Sequence, residues 1–119
     1  MNLKNIFRGS DYFKDPEELV PIGPDELMKM NEDHVLIDVR TPFEFKRGHI
    51  KKAINYKLGN EKEIIKNFGT DEKIILICKT GHRSRAAANR LVKMGYKNLY
   101  HLNGGMNKWR KGNFPEEKE

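Results

Sequence analysis

The chain has 119 residues, enough for one domain around a single buried core and too few for two comfortable ones. Lysine and arginine outnumber aspartate and glutamate 23 to 17, a formal charge of +6. The lysines are spread along the chain, as on a solvated basic surface that favours anionic substrates or acidic partners. The single cysteine excludes an internal disulfide, and no Cys/His cluster has zinc spacing.

No zinc-finger, helix-turn-helix or aromatic-plus-basic RNA motif is present, so nucleic acid is not expected as a partner, nor is a metal or other cofactor. The first eight residues lack the apolar core and cleavage site of a secretory signal, and no stretch approaches the roughly 20 apolar residues that span a bilayer. The expectation is a cytoplasmic protein without membrane contact, in a reducing compartment that suits a free thiol.

Residues 1–18 mix aromatic and charged residues without periodicity and read as an N-terminal extension that packs through Ile6, Phe7, Tyr12 and Phe13. Residues 19–22 form a short edge strand, because Pro21 is tolerated at an edge and not inside a sheet. Pro24, Asp25 and Glu26 open a helix, with proline at its first position and acids in its first turn. Residues 34–39 are a largely apolar strand, and Thr41 caps the helix that Pro42, Phe43 and Glu44 begin. Residues 53–56 are a further strand, 61–68 a helix closed by Gly69, and 73–78 the most apolar strand. A helix follows over 84–94, with Ala87, Leu91 and Met94 on one face and Gly95 at its end. Residues 97–102 make a last strand, and a terminal helix over 106–111 carries Trp109, read as core. The tail, 115–119, reads as frayed. Strands alternating with helices predict an α/β domain over 19–114, built on a mainly parallel sheet whose sites lie at the carboxyl ends of strands.

Cys78 stands at such an end, after Ile74-Ile75-Leu76-Ile77 and before Lys79-Thr80-Gly81-His82-Arg83. A thiolate there has three sources of stabilisation. Successive backbone N–H groups can curl into an anion nest, with Gly81 permitting the turn. The helix that starts near Ser84 directs its positive end at the loop. Lys79, Arg83, Arg85 and His82 add cationic charge. Because burial disfavours an anion, the site is expected to be partly open.

The loop Cys78-Lys79-Thr80-Gly81-His82-Arg83-Ser84 resembles the active-site loop of rhodanese-like sulfurtransferases. Leu36-Ile37-Asp38-Val39-Arg40, Glu44-Phe45, Gly48-His49-Ile50 and Ala53-Ile54-Asn55 resemble the first half of that family, and Asn103-Gly104-Gly105-Met106 with Trp109 its end. The resemblance runs over residues 20–114 in the family's order. It implies one rhodanese domain with a five-stranded, mainly parallel sheet between helices. It also implies a cysteine that takes sulfane sulfur from an anionic donor such as thiosulfate, holds it as a persulfide, and passes it to a thiophilic acceptor.

Arg83 lies five positions after Cys78, one residue short of the Cys-x5-Arg spacing of related phosphatases. The shorter cradle suits a sulfur better than a phosphoryl group, which disfavours phosphatase or arsenate-reductase-like chemistry. On this reading Cys78 is the nucleophile, and the amides of Lys79, Thr80, Gly81, His82 and Arg83 hold the sulfur anion as an oxyanion hole holds oxygen. Arg83, and secondarily Lys79, binds the anionic donor. Ser84 supports the loop, and Asp38 with Arg40 reads as a charged pair that braces neighbouring loops; Glu44 and His49 read as structural too. With no second cysteine to resolve a persulfide, sulfur must leave to an outside acceptor: cyanide in an assay, a thiol or a carrier protein in a cell. The expected assembly is a monomer or weak homodimer. The competing reading is a binding or regulatory module that keeps the rhodanese shape without turnover.

Overall fold

The run Ile74–Ile77, apolar at every position, lies at the centre of a sheet, and each of its residues is 0% exposed. A strand covered on both faces has no polar alternation, and this one shows none. The computed structural model describes residues 19–31 and 33–119; the expected N-terminal extension lies outside the described residues. In chain order the elements are β1 (Leu19–Ile22), α1 (Pro24–Lys29), β2 (Val35–Asp38), α2 (Pro42–Arg47), β3 (Ile54–Asn55), α3 (Glu61–Asn67), β4 (Ile74–Ile77), α4 (His82–Lys93), β5 (Leu99–Leu102) and α5 (Gly105–Lys111).

The five strands form one sheet in the order β1-β5-β4-β2-β3, every pair parallel. β1 takes an edge, where Pro21 removes no bond from a second neighbour. Alternation along β4 divides the core. Ile74, Leu76 and Cys78 pack with Ile64, Ala87, Ala88 and Leu91 on one face, while Ile75 and Ile77 pack with Leu27, Ile50, Met106 and Trp109 on the other. Cys78 therefore continues the face covered by α4.

Local chemistry explains the helix ends. The Thr41 hydroxyl accepts from the Glu44 N–H at 3.3 Å, and Glu44 Oε1 accepts from the Thr41 N–H at 3.0 Å, a reciprocal capping box. At the end of α4, Gly95 takes φ +96 while its N–H and that of Tyr96 return to Val92 and Leu91 carbonyls. This closure puts Tyr96, 2% exposed, into the core beside Leu91 and leaves Met94 45% exposed. Met94 thus departs from the face expected of it, because the helix has already turned when the chain reaches it.

Residues 115–119, expected to fray, are instead held against α2 and α5. Trp109 Nε1 donates to the Pro115 carbonyl at 2.8 Å, and Arg110 pairs with Glu116 at 3.0 Å. His49 and Glu117 exchange backbone hydrogen bonds of 2.9 and 2.8 Å, and the Glu119 N–H reaches the Lys46 carbonyl at 3.0 Å. The Trp109 and Arg110 contacts bridge six residues, but those with His49 and Lys46 span most of the chain, and local composition carried no sign of them. Among the described residues no helix is long and apolar enough to cross a membrane, and no group of three or more His, Cys, Asp or Glu is arranged to hold a metal ion.

Candidate active site

β4 delivers Cys78 to the carboxyl edge of the sheet, and Gly81 turns the chain back over it. Gly81 has φ +120 and ψ −18, and a Cβ there would meet nothing nearer than Arg85 Nη1 at 4.0 Å. Glycine is needed for the backbone conformation, not for space. In that conformation the Gly81 N–H donates to Cys78 Sγ at 2.9 Å. α4 begins at His82, two residues earlier than the sequence suggests, because the left-handed Gly81 already serves as its N-cap. The helix has no side-chain cap and no acid of its own in its first turn, so its positive end faces the loop uncapped.

Ser84 is fully buried behind the sulfur. The Cys78 thiol donates to Ser84 Oγ at 3.5 Å, Ser84 Oγ donates to the Gly81 carbonyl at 2.9 Å, and His101 Nδ1 lies 3.4 Å from the same oxygen. α5 fixes the other side of the loop. The N–H groups of Met106 and Asn107 donate to the carbonyls of Cys78 and Lys79 at 2.8 and 3.0 Å. Gly105, at φ +58, presses so close that a Cβ would meet the Cys78 carbonyl oxygen and come within 2.5 Å of the Lys79 carbonyl carbon. Gly105 is a site-forming residue that the sequence marks only through the Asn103-Gly104-Gly105-Met106 resemblance, with no sign that it lies against Cys78.

Cys78 is 1% exposed, where a partly open thiol was expected. The cause is the combined cover of α4 and α5, two helices that both start at the strand end carrying it. Lys79, Thr80 and His82 are exposed on the loop above it, and Gly81 is buried. Lys79 lines a cleft of about 380 Å³ together with Arg40, Phe43, Glu44, Arg47, Arg110, Glu116 and Lys118.

Arg83 is not the unengaged anion binder that its position suggested. Its guanidinium grips Glu44 through two bonds of 2.6 and 2.9 Å. The Arg83 hydrogen bond, aided by those from Thr41 and opposed by burial, holds the Glu44 carboxyl down to about 2; the same pair raises Arg83. The pair ties the first turn of α2 to the first turn of α4 across the mouth of the site. Asp38 and Arg40, 0% and 2% exposed, form a second, buried pair, with Arg40 Nη2 at 2.8 Å from Asp38 Oδ2 and 2.7 Å from the Gly48 carbonyl. Asn55 Nδ2 donates to the carbonyls of both residues, at 3.0 and 2.9 Å. This network joins the ends of β2 and β3 to the end of α2. His49 stacks on Phe45 at 3.8 Å between ring centroids and bonds the Phe45 carbonyl through Nδ1 at 2.8 Å, away from the sulfur's own partners.

A parallel α/β sheet with one cysteine at the end of its central strand, its sulfur held by the turn into the next helix, defines a cysteine-loop α/β domain. Residues 23–112 match the rhodanese-like domain, and the chain belongs to that family. It is 31% identical over 94 residues to the thiosulfate sulfurtransferase GlpE of Pseudomonas entomophila, a match covering 78% of this chain and 86% of that one. It is 43% identical over 74 residues to the protein YqhL of Bacillus subtilis, covering 62% of this chain and 59% of that protein's length. Its fold is similar to the crystal structure of a rhodanese-related protein from Thermoplasma volcanium, with a TM-score of 0.75, 31% identity, and 84% of this chain and 99% of that chain covered.

Proposed function

We propose that the protein is a sulfurtransferase that loads sulfane sulfur on Cys78 and hands it to an outside acceptor. With thiosulfate, the Cys78 thiolate attacks the outer sulfur of the donor. A new S–S bond forms on Cys78 as the old one breaks, and sulfite leaves with the electron pair. A thiophilic acceptor then attacks the terminal sulfur, the Cys78 thiolate leaves, and the cycle closes. Both steps conserve charge and need no cofactor.

The observation that carries this reading is the Gly81 N–H at 2.9 Å from Cys78 Sγ, at the uncapped start of α4. That N–H is aimed at the sulfur as an oxyanion-hole donor is aimed at oxygen, placed to receive the negative charge that Cys78 carries when it attacks and when it leaves. The likeness to GlpE supports the same class of donor. Lys79, exposed at the cleft, is the cation that meets the donor first, with Thr80 and His82 beside it. Arg83 acts through Glu44 to hold the loop. Asp38, Arg40 and Ser84 support the scaffold. The partners are a small anionic donor and a thiol or carrier protein, met in the cytoplasm by a monomer or weak homodimer.

Incubation with thiosulfate followed by intact-mass measurement tests this. The wild type should gain the mass of one sulfur atom, reversibly with cyanide, and Cys78→Ala should gain none. The burial of Cys78 and the neutralised Arg83 favour a second reading, a rhodanese-shaped binding module without turnover. An unmodified wild type after prolonged incubation would establish that reading instead.

A further inference from the structure

Ser84 Oγ has three neighbours and a limited set of hydrogen-bonding roles. A hydroxyl carries one proton and two acceptor sites. The shortest of its contacts, 2.9 Å to the Gly81 carbonyl, can only be made by donating that proton. The other two contacts, the Cys78 thiol at 3.5 Å and His101 Nδ1 at 3.4 Å, must therefore both donate to it. This requires the tautomer with hydrogen on Nδ1. His101 stands on β5 beside β4, in register with Leu76 and 1% exposed, so the strand pairing holds its ring at that distance.

We infer that His101 is a positioning residue for Cys78, acting through Ser84. When the thiol loses its proton to solvent, one donor to Ser84 Oγ disappears and Sγ, already accepting from the Gly81 N–H, can accept a second bond. The Ser84 hydroxyl can then swing from the Gly81 carbonyl to Sγ and join the Gly81 N–H as a second donor. The Nδ1–H of His101 keeps the oxygen in place in both states. An Nδ1 lone pair would instead draw the Ser84 proton away from the sulfur. The proposal rests on Cys78 being the nucleophile, but not on sulfur transfer itself. Arg83 and Asp38, whose charges interact across this end of the sheet, are left intact in every variant below.

The chain has one cysteine, so both the ultraviolet absorbance of its thiolate, measured against Cys78→Ala, and its alkylation by iodoacetamide report Cys78 alone. Neither needs a sulfur donor, so they answer even if thiosulfate fails to load the protein. His101→Leu, which removes the donor, should move the pH profile of both signals upward and lower alkylation at neutral pH roughly fivefold, the effect of one ordinary hydrogen bond. His101→Asn, whose amide nitrogen falls near Nδ1, should recover the wild-type rate within about twofold. In a Ser84→Ala background His101→Leu should change nothing further. Equal profiles for the Leu and Asn variants, or an undiminished effect of His101→Leu on Ser84→Ala, would overturn the assignment. If His101→Leu does not fold, His101→Gln, whose amide falls nearer Nε2, takes its place; a Gln variant that matches Asn would be equally fatal.

Discussion

Two helices begin at the strand end that carries Cys78, and they begin alike. α4 is entered through Gly81 at φ +120 and α5 through Gly104 at φ +79, both without a side-chain cap and both without an acid in the first turn. They differ in what receives their leading N–H groups. At α5 the N–H groups of Met106 and Asn107 are taken by the carbonyls of Cys78 and Lys79, so the end is closed by backbone. At α4 the N–H of the capping glycine itself is given to a sulfur. The two ends share one loop: α5 holds the carbonyl side of its peptides, and α4 presents the amide side to Sγ. α1 and α2 show the ordinary alternative, with Asp25 and Glu26 or Glu44 occupying their first turns. An uncapped N-terminus is a property of local sequence; what fills it decides whether it is scaffold or chemistry.

If that division holds, substitution at the two glycine turns should separate stability from reactivity. Gly105→Ala has the larger expected effect. Its Cβ would run into the backbone of Cys78 and Lys79, which cannot yield as a flexible side chain does, at a φ of +58 that already disfavours alanine. A loss of about 3 kcal/mol or more is expected, seen as a fall in Tm of more than about 10 °C. Gly81→Ala meets open space and pays only for its backbone conformation, about 1–2 kcal/mol. Sulfur loading of Gly81→Ala should fall much more than its stability does, because relaxing φ moves the N–H off Sγ. Equal losses of loading rate at equal Tm in the two variants would abolish the distinction.

The next effect concerns the mouth of the site. Arg83→Ala leaves Glu44 as an uncompensated carboxylate near an incoming dianion, and KM for thiosulfate should rise roughly tenfold. Adding Glu44→Gln should recover most of that loss, since the repulsion disappears with the charge. A double variant as poor as Arg83→Ala would mean that Arg83 contacts the donor directly, as its spacing from Cys78 first suggested.

The contrast between these residues shows where sequence reading succeeds. The strand ending at Cys78, the Thr41 cap, the edge position of β1 and the burial of Trp109 follow from patterns within a few residues, and the structure has them. The features that were not legible join distant positions. Glu44 and Arg83 are 39 residues apart, and Ser84 and His101 17. The loop carrying Cys78 is held by α5, and residues 117 and 119 find partners at His49 and Lys46. Charge and hydrogen-bonding capacity could be read at each position, but which donor meets which acceptor depends on strand order. Arg83 is the instructive case: its distance from Cys78 along the chain is legible, and the carboxylate from another helix that engages it is not.

The Glu44–Arg83 pair also makes a smaller, pH-dependent prediction. Binding to Arg83 lowers the Glu44 carboxyl from 4.5 to about 2 in the folded protein. A carboxyl lowered by folding stabilises the fold above its unfolded value and loses that contribution as pH falls through its folded value. The Tm difference between wild type and Glu44→Gln should therefore be constant from pH 8 down to about 5, shrink below about 4.5, and vanish near pH 2. The pair is partly exposed, at 31% and 28%, so the difference should be a few degrees and should narrow further in high salt. The Asp38–Arg40 pair, shielded from solvent at 0% and 2%, should respond far less to salt. Removing one member of that pair also leaves a buried charge without its partner, which costs about 3–5 kcal/mol. A salt-insensitive Glu44→Gln difference would mean that the bond across the mouth is as enclosed as the bond behind it, leaving Lys79 to meet a donor without Arg83.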